Sequence, residues 1–600
     1  MEMMKPIASS DVPHGDEWIY EVKYDGFRCI LFLEKNGEVR LTSKNKKDLT
    51  SNFPEIVVSC QKLASTIIEM LPLKLDGELV VLNNAYQSNF TWIQKRGRLK
   101  NSDSIQKAAK HRPATFIAFD ILQEKNTPYS NHTLIKRKEK LQAFFEKVEN
   151  RSHIKMIPYD ENPDKTWKQI VDYKAEGIIA KRKTSKYIAG KKHQDWFKIK
   201  NWRTIQGILT HYDAGNGYYS FRVYDNKQLI EIGKVKHGLD TDAANTLKQL
   251  FLTNGEVKKN VYSLPPAVCA SIHTLDLYKD ELREPEFVKL LPNTRPEECT
   301  IEKLQLDLAM IPERVGVSNS EKLFWPINHF TKGDLLCYIR EISPYMLPFT
   351  RNHAITFIRC PDGVDGEQFY QKHLPDYAPP FIDHFSQESD KLIICNHMDS
   401  LVWFANHGAM EYHVPFQFVD SSFPKEIVFD LDPPGRERFD LAIQAAQLIK
   451  PILDDLGLVS FVKTSGNKGL QIHIPIREES MTYDETAIFT QAIAYTVESA
   501  YPDLFTTERM KKKRNGRLYI DYVQHAKDKT IIAPYSPRRT DEGTVATPLL
   551  WEEVQEALRP EQFTIGNVVE RVQTLGCPWK DYFTIGEKQK LDKVLRLVRA

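Results

Sequence analysis

Two clusters of residues in this sequence have the types and spacing to do chemistry. The first is WIYEVKYDGFR, in which Lys23 lies between Glu21 and Asp25 at alternate positions. Alternate residues of a strand share a face, so Glu21, Lys23 and Asp25 are expected on one side and Trp18, Tyr20, Val22 and Tyr24 on the other. A lysine amine becomes a nucleophile only after losing its proton, and flanking carboxylates oppose that loss. Desolvation or a nearby cation must therefore lower its pKa from about 10.4. Lys198 and Lys200, alternating onto one face of DWFKIKNW, are the candidate cations. Gly26 permits a tight turn or a close approach of backbone to ligand. A surface hairpin with an Asp-Gly turn could carry the same letters.

The second cluster is EIVFDLDPP, where an apolar strand ends in Asp430 and Asp432 on one face and Pro433 stops it. Neighbouring carboxylates require a cation, and a divalent metal is the natural one; solvated aspartates at a strand end are the plainer alternative. RLYIDYVQ adds Asp521 within an apolar strand, where an unpaired charge is unfavourable. Three strand-borne aspartates suit two metals clamping a phosphoryl transfer. KTSGNKGLQIHIPI places Ser465 and Lys468 in a Gly-containing loop fit to cradle phosphates, and IIAPYSPRR supplies Arg538.

The elements that must position these residues follow from hydrophobic periodicity. Residues 1–202 alternate short apolar strands with amphipathic helical stretches, an α+β domain. Residues 203–297 become strand-like with turn residues and suit a small β-barrel. Residues 298–315 carry no interpretable motif and are expected to be a linker. Residues 316–600 form a second α+β unit, large enough for an active site of its own.

At 600 residues the chain is too long for one hydrophobic core. No stretch approaches the roughly 20 apolar residues of a membrane helix, and the N-terminus lacks a secretory pattern. A soluble cytoplasmic protein is expected. The 8 cysteines form no CxxC pair. The net charge of +2 predicts no nucleic-acid partner by itself, but basic residues cluster locally. The clusters are Lys44, Lys46 and Lys47; Lys95, Arg96, Arg98 and Lys100; Lys181, Arg182 and Lys183; and Lys511 to Arg514.

Lys23 is followed in order by LDGELV, FIAFDIL, EGIIAKR and DWFKIK. Together these segments resemble the nucleotidyltransferase motifs of ATP-dependent DNA ligases, and LREPEF (Arg283, Glu284) looks like that family's last motif. The resemblance implies an ATP-grasp-like ligase fold followed by an OB-fold barrel. It implies that Lys23 takes AMP from ATP as a phosphoramide. Glu21 would join the ATP pocket, Arg28 and Glu78 would hold the ribose and a metal, and Phe119 would stack the adenine. Glu176, Lys198 and Lys200 would complete the pocket. Where ligases commonly carry arginine after the serine of SKNKKD, this chain has Lys44, a point charge in place of a bidentate fork.

The aspartate cluster, with LFWPINHFTKGDLL and AMEYH upstream, resembles the polymerase domain of bacterial ligase D, an archaeo-eukaryotic primase-like fold. The order of the halves, with the ligase preceding the polymerase, is similar to that of the Bacillus-type end-joining enzyme. The resemblance implies metal ligation (Mn2+ or Mg2+) by Asp430, Asp432 and Asp521. It places His413, Ser465, Lys468, Arg514, Gln524 and Arg538 at the incoming nucleotide. Lys322 and Lys332 fall at a 5′-phosphate, and Phe369 and Tyr370 at the template. The family usually has histidine where this chain has Gln471, with His473 two residues on along the same strand face.

The combined expectation is an end-joining enzyme acting on broken, gapped or nicked DNA as a nucleoid-associated monomer. A Ku partner and a preference for ribonucleotides and manganese come with the resemblance; some family members add a 3′-phosphoesterase domain, which is expected to be absent here because the two assigned units use up the chain. Two rivals stand beside it. An RNA ligase or capping enzyme would share the Lys23 motif but leave the three aspartates unexplained, and a DNA-end-binding second half would leave them unused.

Overall fold

The computed structural model describes residues 2–147, 153–190, 192–278 and 281–599. The chain divides into two compact units, Met1–Leu308 and Ala309–Ala600.

In the first unit a five-stranded sheet runs in the order Lys5–Ala8, Lys192–Lys200, Gly177–Arg182, Trp18–Val22 and Tyr159–Asp160. A second sheet is built on Phe27–Leu33, Leu73–Val80 and Thr115–Glu124. Side chains alternate across these strands. Ile30 and Ile117 join Trp18, Tyr20 and Ile178 in a core shared by the two sheets, while Cys29, Leu31 and Phe116 pack into a separate core with the Pro54–Ala64 helix. All five residues of Trp18–Val22 are buried, so this strand has no solvent face.

The following strands form an antiparallel sheet in the order Gln228–Val235, Tyr218–Asp225, Arg203–Asp213 and Val261–Thr274. Glu286–Leu290 pairs with Val261–Thr274, and a bridge from Glu286 to His237 brings it back to the far edge, curling the sheet into a barrel. Part of the expected linker belongs to this barrel. The helix Ile301–Ala309 places Leu304 in the barrel core, with Ile301 and Leu308 packed against it. Its one-sided apolar spacing spans barely two turns, too short to stand out as a helix from sequence.

The second unit holds a six-stranded sheet in the order Phe505–Thr506, Leu518–Asp521, Glu426–Asp432, Leu470–Pro475, Phe461–Thr464 and Pro548–Leu549. The helices Phe439–Asp455 and Tyr483–Ala500 pack on its Glu426–Asp432 strand. A four-stranded sheet joins Phe369–Gln371, Thr356–Arg359, Ala409–Pro415 and Thr530–Ile532. Among the described residues no helix is long and apolar enough to cross a membrane.

Candidate active sites

Lys23 sits one residue beyond the Trp18–Val22 strand, its backbone N–H donating to Gly177 O at 2.8 Å. Antiparallel pairing of Val22 with Ile178 carries Glu176 alongside, and Lys23 Nζ lies 2.6 Å from Glu176 Oε1. Burial lowers the amine's pKa, but Glu176, joined by Asp25 and Glu78, outweighs it and holds the pKa above the ordinary lysine value. The lysine rests as a protonated ion pair and not as the poised amine that Lys198 and Lys200 are expected to create.

Lys23 lines a cavity of ≈170 Å³ together with Glu21, Asp25, Arg28, Glu78 and Phe119. Arg28 is fixed by two hydrogen bonds to the buried Asp76 (3.2 and 2.7 Å), which also accepts from Tyr187 at 2.6 Å. Its guanidinium lies 5.2 Å from the centre of the Phe119 ring. Burial pushes the Glu78 carboxyl up to about 8 against the pull of Lys23 and Arg28. Asp25 is pushed up to about 6 by burial and by Glu176, although Arg283 pairs with it directly.

Glu21 is nearly inaccessible, its carboxylate clamped between Lys138 and Lys181, the latter at 2.7 Å. Lys181 also stands over the rings of Phe119 (4.4 Å) and Trp196 (4.2 Å). Motif spacing does not mark Lys138, Lys181 or Trp196 as site residues. Two members of the basic clusters prove to be interior: Lys181, and Arg96, which is wholly buried against Glu55. Lys44 is exposed.

Glu176, Lys198 and Lys200 stand beside the cavity and not in its wall. Lys198 is depressed by burial and by its neighbours Lys200 and Lys23, which places the three cations close together. Lys200 is paired with Glu284, so the segment LREPEF engages both Asp25 and Lys200.

In the second unit, strand pairing sets Asp430 opposite Asp521, and Asp432 ends the strand as Pro433 requires. Burial and the negative charges of Asp432 and Asp521 push Asp430 up to about 6, opposed by a hydrogen bond from Gln471. Asp432 is held by Lys468 at 2.8 Å and Arg514 at 3.1 Å. Asp521 accepts from the Tyr519 hydroxyl at 3.0 Å and the Gln524 backbone at 2.9 Å. Among the described residues no group of three His, Cys, Asp or Glu side chains is assembled to hold a metal ion. The expected three-aspartate cluster is thus present as neighbours on adjacent strands and not as a closed ligand set.

A cavity of ≈210 Å³ is lined by Asp430, Asp432, Ser465, Lys468, Gln524 and Arg538, with His413 and Gln471 also in its wall. Ser465 Oγ is turned inward, accepting from the backbone N–H of Gly469 at 3.1 Å. Gly466 takes φ +72°, where a Cβ would meet Ala546 N at 2.8 Å, so the loop needs glycine there. His413 Nε2 lies 2.9 Å from Glu411, and Arg538 lies 3.3 Å from the same carboxylate. Glu411 thus orders two expected nucleotide contacts, a role that the letters AMEYH alone do not reveal.

Strand register resolves the histidine question. His473 lies opposite Val428, one pair further along the same face, and is bonded to the buried Glu426 at 2.8 Å, while Gln471 lies opposite Asp430 and donates to it at 3.1 Å.

Lys332 opens the Lys332–Thr350 helix behind a capping box of Thr331 and Asp334. Lys322 is close enough to help depress its pKa, burial being the larger cause. Two cations at a helix N-terminus favour an anion. Phe369 and Tyr370 are exposed, at 49% and 72%, on the edge strand of the four-stranded sheet.

Residues 3–200 match the ATP-dependent DNA ligase domain family, and residues 331–579 match the primase-polymerase domain of LigD. The bifunctional non-homologous end joining protein LigD of Bacillus subtilis (strain 168) is 39% identical, with 99% of each chain covered. The chain belongs to the LigD family. The multifunctional LigD of Pseudomonas aeruginosa is 24% identical over 97% of this chain and 72% of its own. The solved polymerase domain of Mycobacterium tuberculosis ligase D in complex with DNA is 30% identical, covering 46% of this chain and 99% of that one, with a TM-score of 0.42. This chain carries an ATP-dependent DNA ligase half followed by a primase-polymerase half, and so ligase and nucleotidyltransferase activities in one polypeptide.

Proposed function

We propose that this LigD protein repairs DNA double-strand breaks by end joining, filling or extending ends at Asp430, Asp432 and Asp521 and sealing them through Lys23. The observation that carries the reading is that each unit has a cavity walled by the group its chemistry needs, Lys23 in one and Asp430 with Asp432 in the other.

In the ligase half, ATP docks with adenine toward Phe119 and ribose toward Arg28 and Glu78. Lys23 must first lose its proton, and Glu176 Oε1 is the group placed to take it. The amine then attacks the α-phosphorus, a nitrogen–phosphorus bond forms and pyrophosphate departs. Lys198 and Lys200 answer the charge that builds on the phosphates, and Lys200 is freed for this when Glu284 lets go.

In the polymerase half, the oxygen donors of Asp430, Asp432 and Asp521 suit Mg2+ or Mn2+. Their mutual repulsion and the hold of Lys468 and Arg514 on Asp432 are what a cation there would relieve. Bound metal would supply Lewis-acid stabilisation of the transferring phosphate and help ionise the primer hydroxyl. His413, Arg538, Ser465, Lys468, Arg514 and Gln524 orient the nucleotide triphosphate. Lys322 and Lys332 anchor the 5′-phosphate across the gap, and Phe369 and Tyr370 stack on the template. The reading includes a monomer acting at the nucleoid in the cytoplasm, a Ku partner, and a preference for ribonucleotides and manganese.

A gapped duplex with a 5′-phosphate, given ATP and nucleoside triphosphates, tests the division of labour. Lys23→Ala should fill the gap and leave a nick, whereas Asp430→Ala should leave the gap open. Sealing by Lys23→Ala, or filling by Asp430→Ala, would overturn the assignment.

A further inference from the structure

Lys463 lies on the Phe461–Thr464 strand and is wholly buried. Strand register sets Lys463 opposite Gln471, Gln471 opposite Asp430, and Asp430 opposite Asp521, so four side chains stand in a row on one face of the sheet. Lys463 Nζ donates to Gln471 Oε1, and Gln471 Nε2 donates to Asp430 Oδ1 at 3.1 Å. Asp430 and Gln471 wall the ≈210 Å³ cavity, with Lys463 behind them.

The chemistry of these groups fixes the direction of the chain of hydrogen bonds. Burial pushes the Lys463 ammonium down to about 7 against the pull of Asp430; in its charged form it can only donate, so the amide oxygen then turns toward Lys463 and the amide NH2 is committed to Asp430. Without the lysine, the amide could rotate and set its oxygen against the carboxylate. Tethering Oδ1 from behind leaves Oδ2 to be presented to the cavity in one orientation. The sequence carries glutamine at this position, and an amide is suited to accept from a lysine on one side while donating to a carboxylate on the other.

We propose that Lys463 is a positioning residue of the polymerase site, fixing the Asp430 carboxylate through the Gln471 amide. It does not touch substrate. Groups that orient a metal ligand from behind typically alter metal affinity or activity by roughly 10- to 100-fold when replaced. The proposal rests on Asp430 being a metal ligand, and the experiment separates the two claims.

The full-length chain is compared with Lys463→Met, Gln471→Leu, the double variant and Asp430→Ala. Two quantities are read: Mn2+ bound, from the electron paramagnetic resonance signal of the free ion, and the dependence of primer extension on Mn2+ and on nucleotide. Lys463→Met should weaken Mn2+ binding and raise the Mn2+ needed for half-maximal extension by about tenfold, with KM for nucleotide little changed. Gln471→Leu should match it, and the double variant should be no worse than Gln471→Leu alone, because the lysine acts only through the amide. Lys463→Arg, which keeps a donor at that place, should recover part of the loss. Wild-type Mn2+ binding in Lys463→Met, or single effects that multiply in the double variant, would overturn the proposal. Should Lys463→Met lose its fold by thermal unfolding, Gln471→Leu decides: unchanged Mn2+ binding there overturns it equally. If Asp430→Ala itself still binds Mn2+ and extends primers, the reading of the site fails; if Asp430→Ala is inactive and Lys463→Met is normal, only this inference fails.

Discussion

Lys23 Nζ stands 2.6 Å from Glu176 Oε1, so the proposed nucleophile of the ligase half rests as an ion pair and must be deprotonated before it can react. Glu176 raises the pKa of Lys23, and removing that charge should lower it. At a given pH a larger fraction of the amine is then free. Glu176→Gln should therefore move the acid limb of the adenylation rate profile to lower pH, while the maximal rate falls for want of a proton acceptor. Single-turnover adenylation measured across pH checks this, and an unmoved limb would count against the pairing's role.

Arg283 pairs with Asp25 and Glu284 with Lys200, placing the LREPEF segment beside the proposed nucleophile. Arg283→Ala should slow lysyl-adenylate formation by about 100-fold, the usual effect of removing one preorganised charge from a phosphoryl-transfer site. Sealing of a nick that already carries AMP should fall much less. Equal losses in the two assays would argue against a role specific to the first step.

Much of this is written in local spacing and much is not. FDLDPP displays its two aspartates on one face because strand period and a terminal proline are local properties. The pairing of Lys23 with Glu176 is not local, since it depends on which distant strand lies beside Trp18–Val22. Lys138, Lys181, Glu411 and Lys463 escape a sequence reading for another reason. Each is a charged residue made important by burial against an opposite charge or a polar relay, and burial of a lone charged letter is invisible in sequence. Gln471 and His473 share a strand face, and only the register with Asp430 tells them apart.

Lys322 and Lys332 lie together where a helix begins, which favours a phosphate. For every phosphate that a protein ceases to neutralise on duplex DNA, the slope of log affinity against log salt should fall by roughly 0.9. Lys332→Ala should therefore flatten the salt dependence of binding to a 5′-phosphorylated gap by about that amount, and erase the preference over a 5′-hydroxyl gap. A preserved preference would move the phosphate site elsewhere.

Glu426 is buried among Lys425, His473 and Tyr582, which hold its carboxyl well below the usual range against the opposing effect of burial. A carboxylate depressed in the folded state contributes stability above its unfolded pKa of about 4.3, and that contribution is lost as pH falls through the folded value. Glu426→Gln should destabilise the second unit by about 3 kcal/mol near neutrality, as breaking a buried pair does. The deficit should shrink as pH falls below about 4. Denaturant melts at two pH values test this, and a deficit independent of pH would contradict it.

The central claim, that Lys23 is the residue that takes AMP, is tested most directly by incubating the full chain with ATP labelled at the α-phosphate. Wild-type protein should become covalently labelled on Lys23, releasing pyrophosphate, and the label should pass to a nicked duplex with a 5′-phosphate. Lys23→Ala should take up none while Asp430→Ala labels normally. Undiminished labelling of Lys23→Ala, or label recovered on another residue of the wild-type chain, would contradict the account.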